Sequence, residues 1–457
     1  MDFPIPETVP VESFLDELPR RLARALSSPP RGRVFSFSAR LPGRSAVSVP
    51  DHPVSVHWCR VTDGKLRVGI GSAWETTAGG PGRFAELARA HRGLMDGWST
   101  ASLDGTAPSR AAFLGFAFGE ASGEGDLPNA LLWVPRVVAE RRGPSIVLHF
   151  TGRREDEPAV LLEEWIDGAR RLAETDSGGD GSTPARFPDL PSDDRAWRQR
   201  VEEALGTIRT GSVNKLVLTR RVELALQRQP EIGRVIPWLV ARYPTGTVFV
   251  LRRPEASMLG VSPERLLSLQ AGVAVADALA GSAPRSTRTD EDDQFASGLL
   301  EDPKARAEHE LVVQGIVDAM EPLCAGLVAP QAPSVVRLPT VQHLSTHVHG
   351  RVRPDVSVFD LISRLHPTPA VGGTPREDAL AWLADNGEQE RGWYTGGVGW
   401  LDDSGGDVSV VLRCALLGAD RATLFAGAGI VEGSDPRAEF LETDWKLQAI
   451  LEALALG

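Results

Sequence analysis

The segment GDVSVVLRCALLGADRATLFAGAGIV, residues 406–431, limits the possible folds of this chain more than any other stretch. Its two long apolar runs flank a short turn near residues 418–420, which is the pattern of a β-hairpin. Further apolar runs of strand length lie at residues 213–226, 246–253 and 265–279. Interspersed with helices, these runs predict a mixed α+β fold with antiparallel sheets.

Helices are predicted by an apolar period of 3.6 residues or by signals at their ends. They lie at residues 158–174, at residues 193–211, from about Pro303 to Leu323, and after residue 431. The second of them begins with aspartates suited to capping and closes with Gly211. Residues 111–120 and 130–152 resemble strands that end in turns.

Residues 173–194, AETDSGGDGSTPARFPDLPSDD, are rich in Gly, Ser, Pro and Asp and have no hydrophobic period. That composition is typical of a linker or a surface excursion. It divides the chain into an N-terminal part, residues 1–172, and a C-terminal part, residues 195–457.

The formal charge of −12 is spread along the chain, which argues against nucleic acid or an anionic membrane as the main partner. No apolar run reaches the roughly 18 residues of a membrane span. The start, MDFPIPETVP, lacks the basic and apolar regions of a signal peptide. We therefore expect a cytoplasmic protein. Cys59, Cys324 and Cys414 are far apart and odd in number, which suggests neither a disulfide framework nor a zinc site.

Lysine is rare in this sequence: of the 49 basic residues, only Lys65, Lys215, Lys304 and Lys446 are lysines. Each is a candidate for a task that a permanently charged guanidinium cannot perform. Lys215 lies in NKLVLTRR, inside a predicted strand and on the face opposite to Leu216. Burial or a neighbouring cation lowers the pKa of an amine, which is how a lysine becomes a general base. The alternative is a lysine that extends to solvent from an edge strand.

Two groups of acidic residues suggest a metal site. AEFLETDWKL places Glu439, Glu442 and Lys446 at spacings of three and four, so that on a helix they share one face. KARAEHELV places Glu308 on a second helix. Carboxylates from two helices, without cysteine or paired histidines, are hard oxygen ligands that suit Mg²⁺. The alternative is that both helices present charged faces to solvent.

Other residues suggest an anion site. Glu264 in GVSPERLLSL follows a Ser-Pro turn at the mouth of a strand, where it is either a rigidly held functional carboxyl or a cap. Gly281 in ALAGSAPR, and Gly427 and Gly429 in AGAGIV, are positions where backbone N–H groups can approach an oxyanion. Arg413 in VVLRCALL alternates into an apolar strand and is suited to bind a carboxylate.

In order and spacing, nine motifs resemble those of the chorismate-utilising enzymes of menaquinone, siderophore and tryptophan biosynthesis. They are NKLVLTR, GVSPERLL, ALAGSAPR, DPKARAEHELV, HLSTHVHG, LHPTPAVGGTP, RGWYTGGVGW, VVLRCALL and AGAGIVEGSDPRAEFLETDWKL. The resemblance extends from about residue 195 to the end and is looser over the first 170 residues. It implies one compact domain of two large antiparallel sheets, stacked as a sandwich and enclosed by helices, with the site in a cleft between them.

The resemblance also implies residue roles. Glu308 and Glu442 would coordinate Mg²⁺, with Glu439 in or beside the metal shell, and the metal would hold the ring carboxylate of chorismate. The matching positions that would contact the substrate are Gly281, Ser282, Thr346, Tyr394, Arg413, Gly427, Gly429 and Lys446. Arg413 and the backbone near the last two glycines would take the enolpyruvyl carboxylate.

Within this family, Lys215 and Glu264 match the lysine that activates water for attack at ring C2 and the glutamate that protonates the hydroxyl leaving C4. Ala280 stands where aminodeoxychorismate synthases carry a nucleophilic lysine, and Ser282 resembles the isochorismate synthases. The resemblance therefore implies an isochorismate synthase, either a monomer or a weak dimer, without a glutaminase subunit. Alternatives are a salicylate synthase, an anthranilate synthase-type enzyme, or a catalytically silent regulator that binds chorismate. Tyr394, where some siderophore-type enzymes have phenylalanine, bears on the salicylate alternative.

Overall fold

Ten α-helices occur in a computed structural model that describes residues 10–120, 127–174, 190–388 and 390–455. They are α1 (Val11–Leu26), α2 (Arg83–Asp96), α3 (Pro158–Ala173), α4 (Arg195–Arg209), α5 (Ile232–Arg242), α6 (Thr289–Glu301), α7 (Pro303–Met320), α8 (Val358–Leu365), α9 (Arg376–Asp385) and α10 (Pro436–Ala455). One 3₁₀ turn, Glu321–Leu323, follows α7. Among the described residues, no helix is both long enough and apolar enough to cross a membrane.

The strands belong to two sheets. Those before α4 are β1 (Val34–Leu41), β2 (Ser55–Arg60), β3 (Lys65–Ile70), β4 (Trp74–Ala78), β5 (Trp98–Ser102), β6 (Ala112–Phe116), β7 (Ala130–Val134), β8 (Val137–Arg142) and β9 (Ser145–Arg153). Those after α4 are β10 (Lys215–Ala225), β11 (Thr247–Arg252), β12 (Ser257–Ser262), β13 (Arg265–Gln270), β14 (Val273–Pro284), β15 (Cys324–Val328), β16 (Ser334–Arg337), β17 (Val341–Val352), β18 (Gly373–Thr374), β19 (Gly397–Leu401), β20 (Gly406–Val410), β21 (Cys414–Leu417) and β22 (Arg421–Val431).

The first sheet has twelve strands in the order β18-β10-β22-β21-β12-β11-β2-β3-β8-β9-β1-β5. The second has the order β15-β17-β14-β13-β20-β19-β6-β7-β4, with β16 also paired to β17. In the described residues every pair is antiparallel except β1 with β5. The predicted α+β sandwich of large antiparallel sheets is confirmed.

Apolar side chains of both sheets meet in a shared core. Trp58 of β2 and Phe249 of β11 pack with Phe113 of β6 and Trp400 of β19. Helices cover the outer faces: α1 and α3, and separately α5 and α10, pack on the first sheet, whereas α2, α7 and α8 pack on the second. These layers bury the apolar side chains of the helices and strands.

Strands from before and after the predicted linker pair directly, β2 with β11 and β6 with β19. Helix α3 ends at Ala173 and α4 begins at Arg195. Most of the predicted linker, residues 173–194, lies outside the described residues, so its character stays a prediction. Of the two predicted capping aspartates, Asp193 accepts the backbone N–H of Arg195 at 3.1 Å, whereas the prediction is wrong for Asp194, whose side chain contacts Arg198 instead.

Residues 406–431, which were predicted to form one hairpin, contribute strands to both sheets. The turn at residues 418–420 does join β21 to β22, but β20 belongs to the other sheet. The chain crosses between the sheets at residues 411–413, and Arg413 adopts a positive φ of 45° there. The prediction that Arg413 alternates within a strand is therefore wrong, because the crossover, not strand alternation, directs it toward the interior.

Candidate active site

A cavity lies where α7 and α10 meet β10, β14 and β22. Ten of the thirteen predicted site residues line it: Glu264, Gly281, Ser282, Glu308, Tyr394, Arg413, Gly427, Gly429, Glu442 and Lys446. Ala280, Ala370 and Val371 form part of the apolar wall. The fold thus assembles in one place residues that are far apart in the sequence.

The other three predicted residues lie behind this lining. Lys215 reaches the cavity through its partner Glu308, and Glu439 is held by Lys304. Thr346 does not line the cavity; its Oγ1 lies 2.8 Å from Nε2 of the buried His309. Thr346 therefore supports α7 from β17.

Lys215 is the first residue of β10 and is only 1% exposed. Its Nζ lies 3.0 Å from Glu308 Oε1. A Cβ at Gly429 on the adjoining strand would lie 2.8 Å from Lys215 Cε and 2.6 Å from that carboxylate oxygen. Glycine is therefore required at residue 429 for lysine and glutamate to meet. The buried guanidinium of Arg391 fixes this end of β10 by donating to the carbonyl of Val217 at 2.5 Å.

The charged face of α10 points inward, so the alternative of a purely solvated face is wrong. Lys446 Nζ lies 2.6 Å from Glu442 Oε1 and donates to the carbonyl of Gly427 at 2.8 Å. Ser282 Oγ donates to the same Glu442 oxygen at 3.1 Å. Burial acts to raise the pKa of Glu442, but Lys446 and Ser282 outweigh it and lower that pKa.

The third carboxylate makes an interhelical ion pair. Glu439 of α10 is 4% exposed, and its Oε1 lies 2.7 Å from Nζ of Lys304 on α7. Burial and the nearby charge of Glu442 raise the pKa of Glu439, and Lys304 opposes that rise. Three of the four lysines therefore pair with the three predicted metal-binding glutamates.

Glu264 differs from these carboxylates because no cation in the described part of the chain pairs with it directly. It lies between β12 and β13, where Ser262 Oγ bonds its backbone N–H and carbonyl. Burial, with the charge of Asp277, raises the pKa of Glu264 to about 8, although Lys215 and Lys446 act in the opposite direction. Its buried Oε1 has no partner among the described residues. At neutral pH it is a protonated acid in the cavity wall.

Hydrogen bonds connect Arg413 to Glu442 across the cavity. The Arg413 guanidinium donates to His343 Nε2 at 2.9 Å, so His343 carries its proton on Nδ1, which faces Gly281 O and Ser282 Oγ. Burial and the charge of Arg413 hold the pKa of His343 well below its usual value. Burial also lowers the pKa of Arg413 to about 10, which leaves it charged at neutral pH.

The sequence did not single out His343 or Arg391, although both lie in recognised motifs, HLSTHVHG and RGWYTGGVGW. A histidine among alternating strand residues gives no sign that its two nitrogens bridge an arginine and a serine. Tyr394, which was predicted, stacks on Phe425 with ring centroids 5.3 Å apart. Its hydroxyl would lie 2.9 Å from a Cβ at Gly427, so that glycine admits the tyrosine.

In the described part of the chain, no three His, Cys, Asp or Glu side chains are close enough together to hold a metal by themselves. The carboxylates of Glu308 and Glu442 are nevertheless suited to bind a metal ion. Lys215 and Lys446 engage Oε1 of Glu308 and Glu442, and no described protein group bonds Oε2 of either. Mg²⁺ commonly binds one or two carboxylates and completes its octahedron with water and an anionic substrate. The donor set fits that arrangement.

The chain matches the family model described as chorismate binding enzyme over residues 45–455. It is 40% identical over 303 residues to a salicylate biosynthesis isochorismate synthase of Pseudomonas aeruginosa, covering 65% of this chain and 61% of that protein. It is 33% identical over 326 residues to an isochorismate synthase of Bacillus subtilis, covering 68% of each. The first alignment thus spans less than two thirds of that relative.

The fold is similar to a solved structure over almost its full length. The menaquinone-specific isochorismate synthase of Escherichia coli superposes with a TM-score of 0.79 at 25% identity, covering 96% of this chain and 99% of the other. The similarity includes the N-terminal strands, where the sequence resemblance was looser.

Proposed function

This chain belongs to the chorismate-binding enzyme family, and we propose that it is a Mg²⁺-dependent isochorismate synthase. The observation that carries the proposal is the pair of proton-transfer groups on the cavity. Lys215 lies behind one wall, in contact with Glu308, and Glu264 forms part of another with a pKa of about 8. Two groups with opposite tasks suit a reaction that adds one hydroxyl and removes another.

The reaction is balanced without a redox partner. Water adds at ring C2, the ring double bonds shift, and the C4 hydroxyl leaves as water. Lys215 Nζ accepts the proton of the attacking water. Glu264, protonated at neutral pH, donates its proton to the departing oxygen. Burial therefore keeps Glu264 protonated at a pH at which an exposed glutamate would be ionised.

Fixed cations of the chain bind the substrate, which is a dianion. Arg413 is charged, 5% exposed and oriented by His343, so its guanidinium is held ready for a carboxylate. Gly427 and Gly429 leave room for that group to approach the strand. Lys446 lies beside them and adds a second positive charge.

Glu308 and Glu442 would hold Mg²⁺, through the oxygens that the lysines leave free. When bound, the ion supplies positive charge for the ring carboxylate of chorismate. Glu439 lies behind the cavity lining and pairs with Lys304, which favours its role beside the metal shell over direct coordination.

The alternative functions within the family fit the residues of this site less well. An amine transferase of the aminodeoxychorismate type needs a lysine where Ala280 stands. Water, not ammonia, is the proposed nucleophile, so no glutaminase subunit is required. The small apolar wall of Ala370 and Val371 favours release of isochorismate over conversion to salicylate. A silent regulator would not need both Lys215 and the protonated Glu264.

The product would enter menaquinone or siderophore biosynthesis. Relatives of both kinds are similar to the chain: one is the menaquinone-specific synthase of E. coli and another is a vibriobactin-specific isochorismate synthase of Vibrio cholerae, 36% identical over 275 residues. We further propose that the enzyme works in the cytoplasm as a monomer or weak dimer.

The proposal is tested by incubating the purified protein with chorismate and Mg²⁺, without ammonium, and separating the products by chromatography at intervals. A reversible mixture of chorismate and isochorismate without pyruvate is expected. Salicylate with equimolar pyruvate would replace the proposal by a salicylate synthase. Unchanged chorismate that nevertheless binds would identify a regulator.

A further inference from the structure

Lys304 is the one lysine at this site to which the proposed reaction gives no task. It is the second residue of α7, where Asp302 caps its backbone N–H, and it lies one helical turn before Glu308. Its Nζ crosses to Glu439 on α10. The lysine side chain is 37% exposed, whereas that of Glu439 is 5% exposed. Lys304 thus covers a buried carboxylate and ties together the two helices that carry Glu308 and Glu442.

The electrostatic field at Lys304 comes from the three glutamates Glu439, Glu308 and Glu442. Burial acts against its charge, yet Glu439 and, more weakly, Glu308 and Glu442 together raise its pKa. The ammonium group of Lys304 therefore lies in the field of these carboxylates, in direct contact with Glu439. Its positive charge opposes a divalent cation, and its direct bond occupies the one carboxylate that lies behind the cavity lining.

We propose that Lys304 is a positioning residue that withholds Glu439 from the metal and sets the affinity of the site for a divalent cation. The inference rests on the Mg²⁺ site of the proposed function. With Lys304 in place, two protein carboxylates would hold the ion and leave coordination positions for water and substrate, whose number a third carboxylate would reduce.

The charges predict effects of opposite sign for the two partners. Lys304→Met removes a positive charge and frees Glu439, so the cation binds more tightly. Glu439→Gln removes a negative charge and leaves the lysine unpaired, so the cation binds more weakly. The double variant removes both charges and returns the affinity close to that of the wild type. Lys304→Arg keeps the charge and leaves the affinity nearly unchanged.

The experiment titrates Mn²⁺ into each variant and follows free Mn²⁺ by electron paramagnetic resonance, first without and then with chorismate. Each single change should shift the Kd by roughly three- to tenfold, the order that Coulomb's law gives for a unit charge and a divalent ion several ångströms apart in a water-rich site. Lys65→Met is the matched control, because Lys65 also pairs with a buried carboxylate, Asp407, away from this cavity. Thermal unfolding checks that every variant folds.

The outcomes separate the two proposals. If Glu439 is itself a metal ligand, Glu439→Gln and the double variant will both bind weakly, which overturns the inference. Equal affinities in all variants would overturn it too, while leaving the metal site intact. A wild-type protein that binds no Mn²⁺, with or without chorismate, would remove the Mg²⁺ part of the proposed function and this inference with it.

Discussion

Lys215 Nζ and Glu308 Oε1 lie 3.0 Å apart and join the start of β10 to the N-terminal half of α7 at the edge of the cavity. The lysine is almost fully buried, and the glutamate side chain retains 16% exposure. This pair connects the proposed base to a proposed metal ligand. Lys215 does not line the cavity itself, and its pair with Glu308 places its amine beside a residue that does.

Lys215→Ala should lower kcat by about 10²–10⁴-fold, the range for loss of a positioned general base. Chorismate should still bind, because Arg413 and Lys446 remain. Turnover is measured by product chromatography and binding by calorimetry. Lys65→Ala, which removes a lysine outside the cavity lining, should leave kcat unchanged. Full turnover by the Lys215 variant would eliminate it as the base.

Activity should fall as the pH rises above about 8, because Glu264 is raised to that pKa and donates only in its protonated form. Below that pH the acid is protonated and imposes no loss. The measurement is kcat between about pH 6 and 10, a range that brackets this titration. Glu264→Gln should be far slower and lack the decline. A wild-type profile without a decline would contradict the assigned role of Glu264.

Removal of divalent cations by a chelator should abolish turnover, and Mg²⁺ should restore it. Glu308→Gln and Glu442→Gln should each raise the Mg²⁺ concentration needed for half-maximal activity, because each removes one proposed oxygen ligand. Asp63→Asn, at a carboxylate outside the cavity lining, serves as the control. Chelator-resistant activity would exclude the metal.

Gly429→Ala should abolish most activity, since its Cβ would lie 2.6 Å from Glu308 Oε1 and 2.8 Å from Lys215 Cε. The lysine and glutamate would have to separate. Gly206→Ala in α4 meets nothing within 4 Å and should preserve activity and slightly stabilise the helix. Comparison of kcat and thermal unfolding for both variants checks the prediction; equal activities would show that the ion pair tolerates displacement.

His343→Leu should lower the free energy of unfolding by about 1–3 kcal/mol. The reason is that the buried guanidinium of Arg413, the carbonyl of Gly281 and the hydroxyl of Ser282 each lose a hydrogen-bond partner. The KM for chorismate should rise as the guanidinium loses its orientation. Denaturant unfolding and initial rates measure the two effects. His57 is buried without a hydrogen-bond partner among the described residues, so His57→Leu should cost less.

Local sequence patterns were sufficient for the fold class and for a part of the helices and strands. Apolar runs located β10, β11, β13, β14 and the strands of residues 406–431, the 3.6-residue period and end signals located α3, α4 and α7, and a turn located the β21–β22 hairpin; β12 and β15 to β19 were not located. These features depend on neighbouring residues in the chain, so the sequence carries them directly. The crossover at Arg413 was missed because a strand in one sheet followed closely by a strand in the other has the same apolar pattern as a single hairpin.

The sequence by itself determined which residue types could perform the chemistry: scarce lysines, spaced glutamates and glycines at strand positions. Only the tertiary structure decided their partners. It paired Lys215 with Glu308, Lys446 with Glu442 and Lys304 with Glu439, placed Thr346 behind the lining, and introduced His343. The physical reason is that the pKa of Glu264 and the ion pair formed by each charged residue depend on burial and on residues from distant elements of the chain. No local pattern encodes these neighbours.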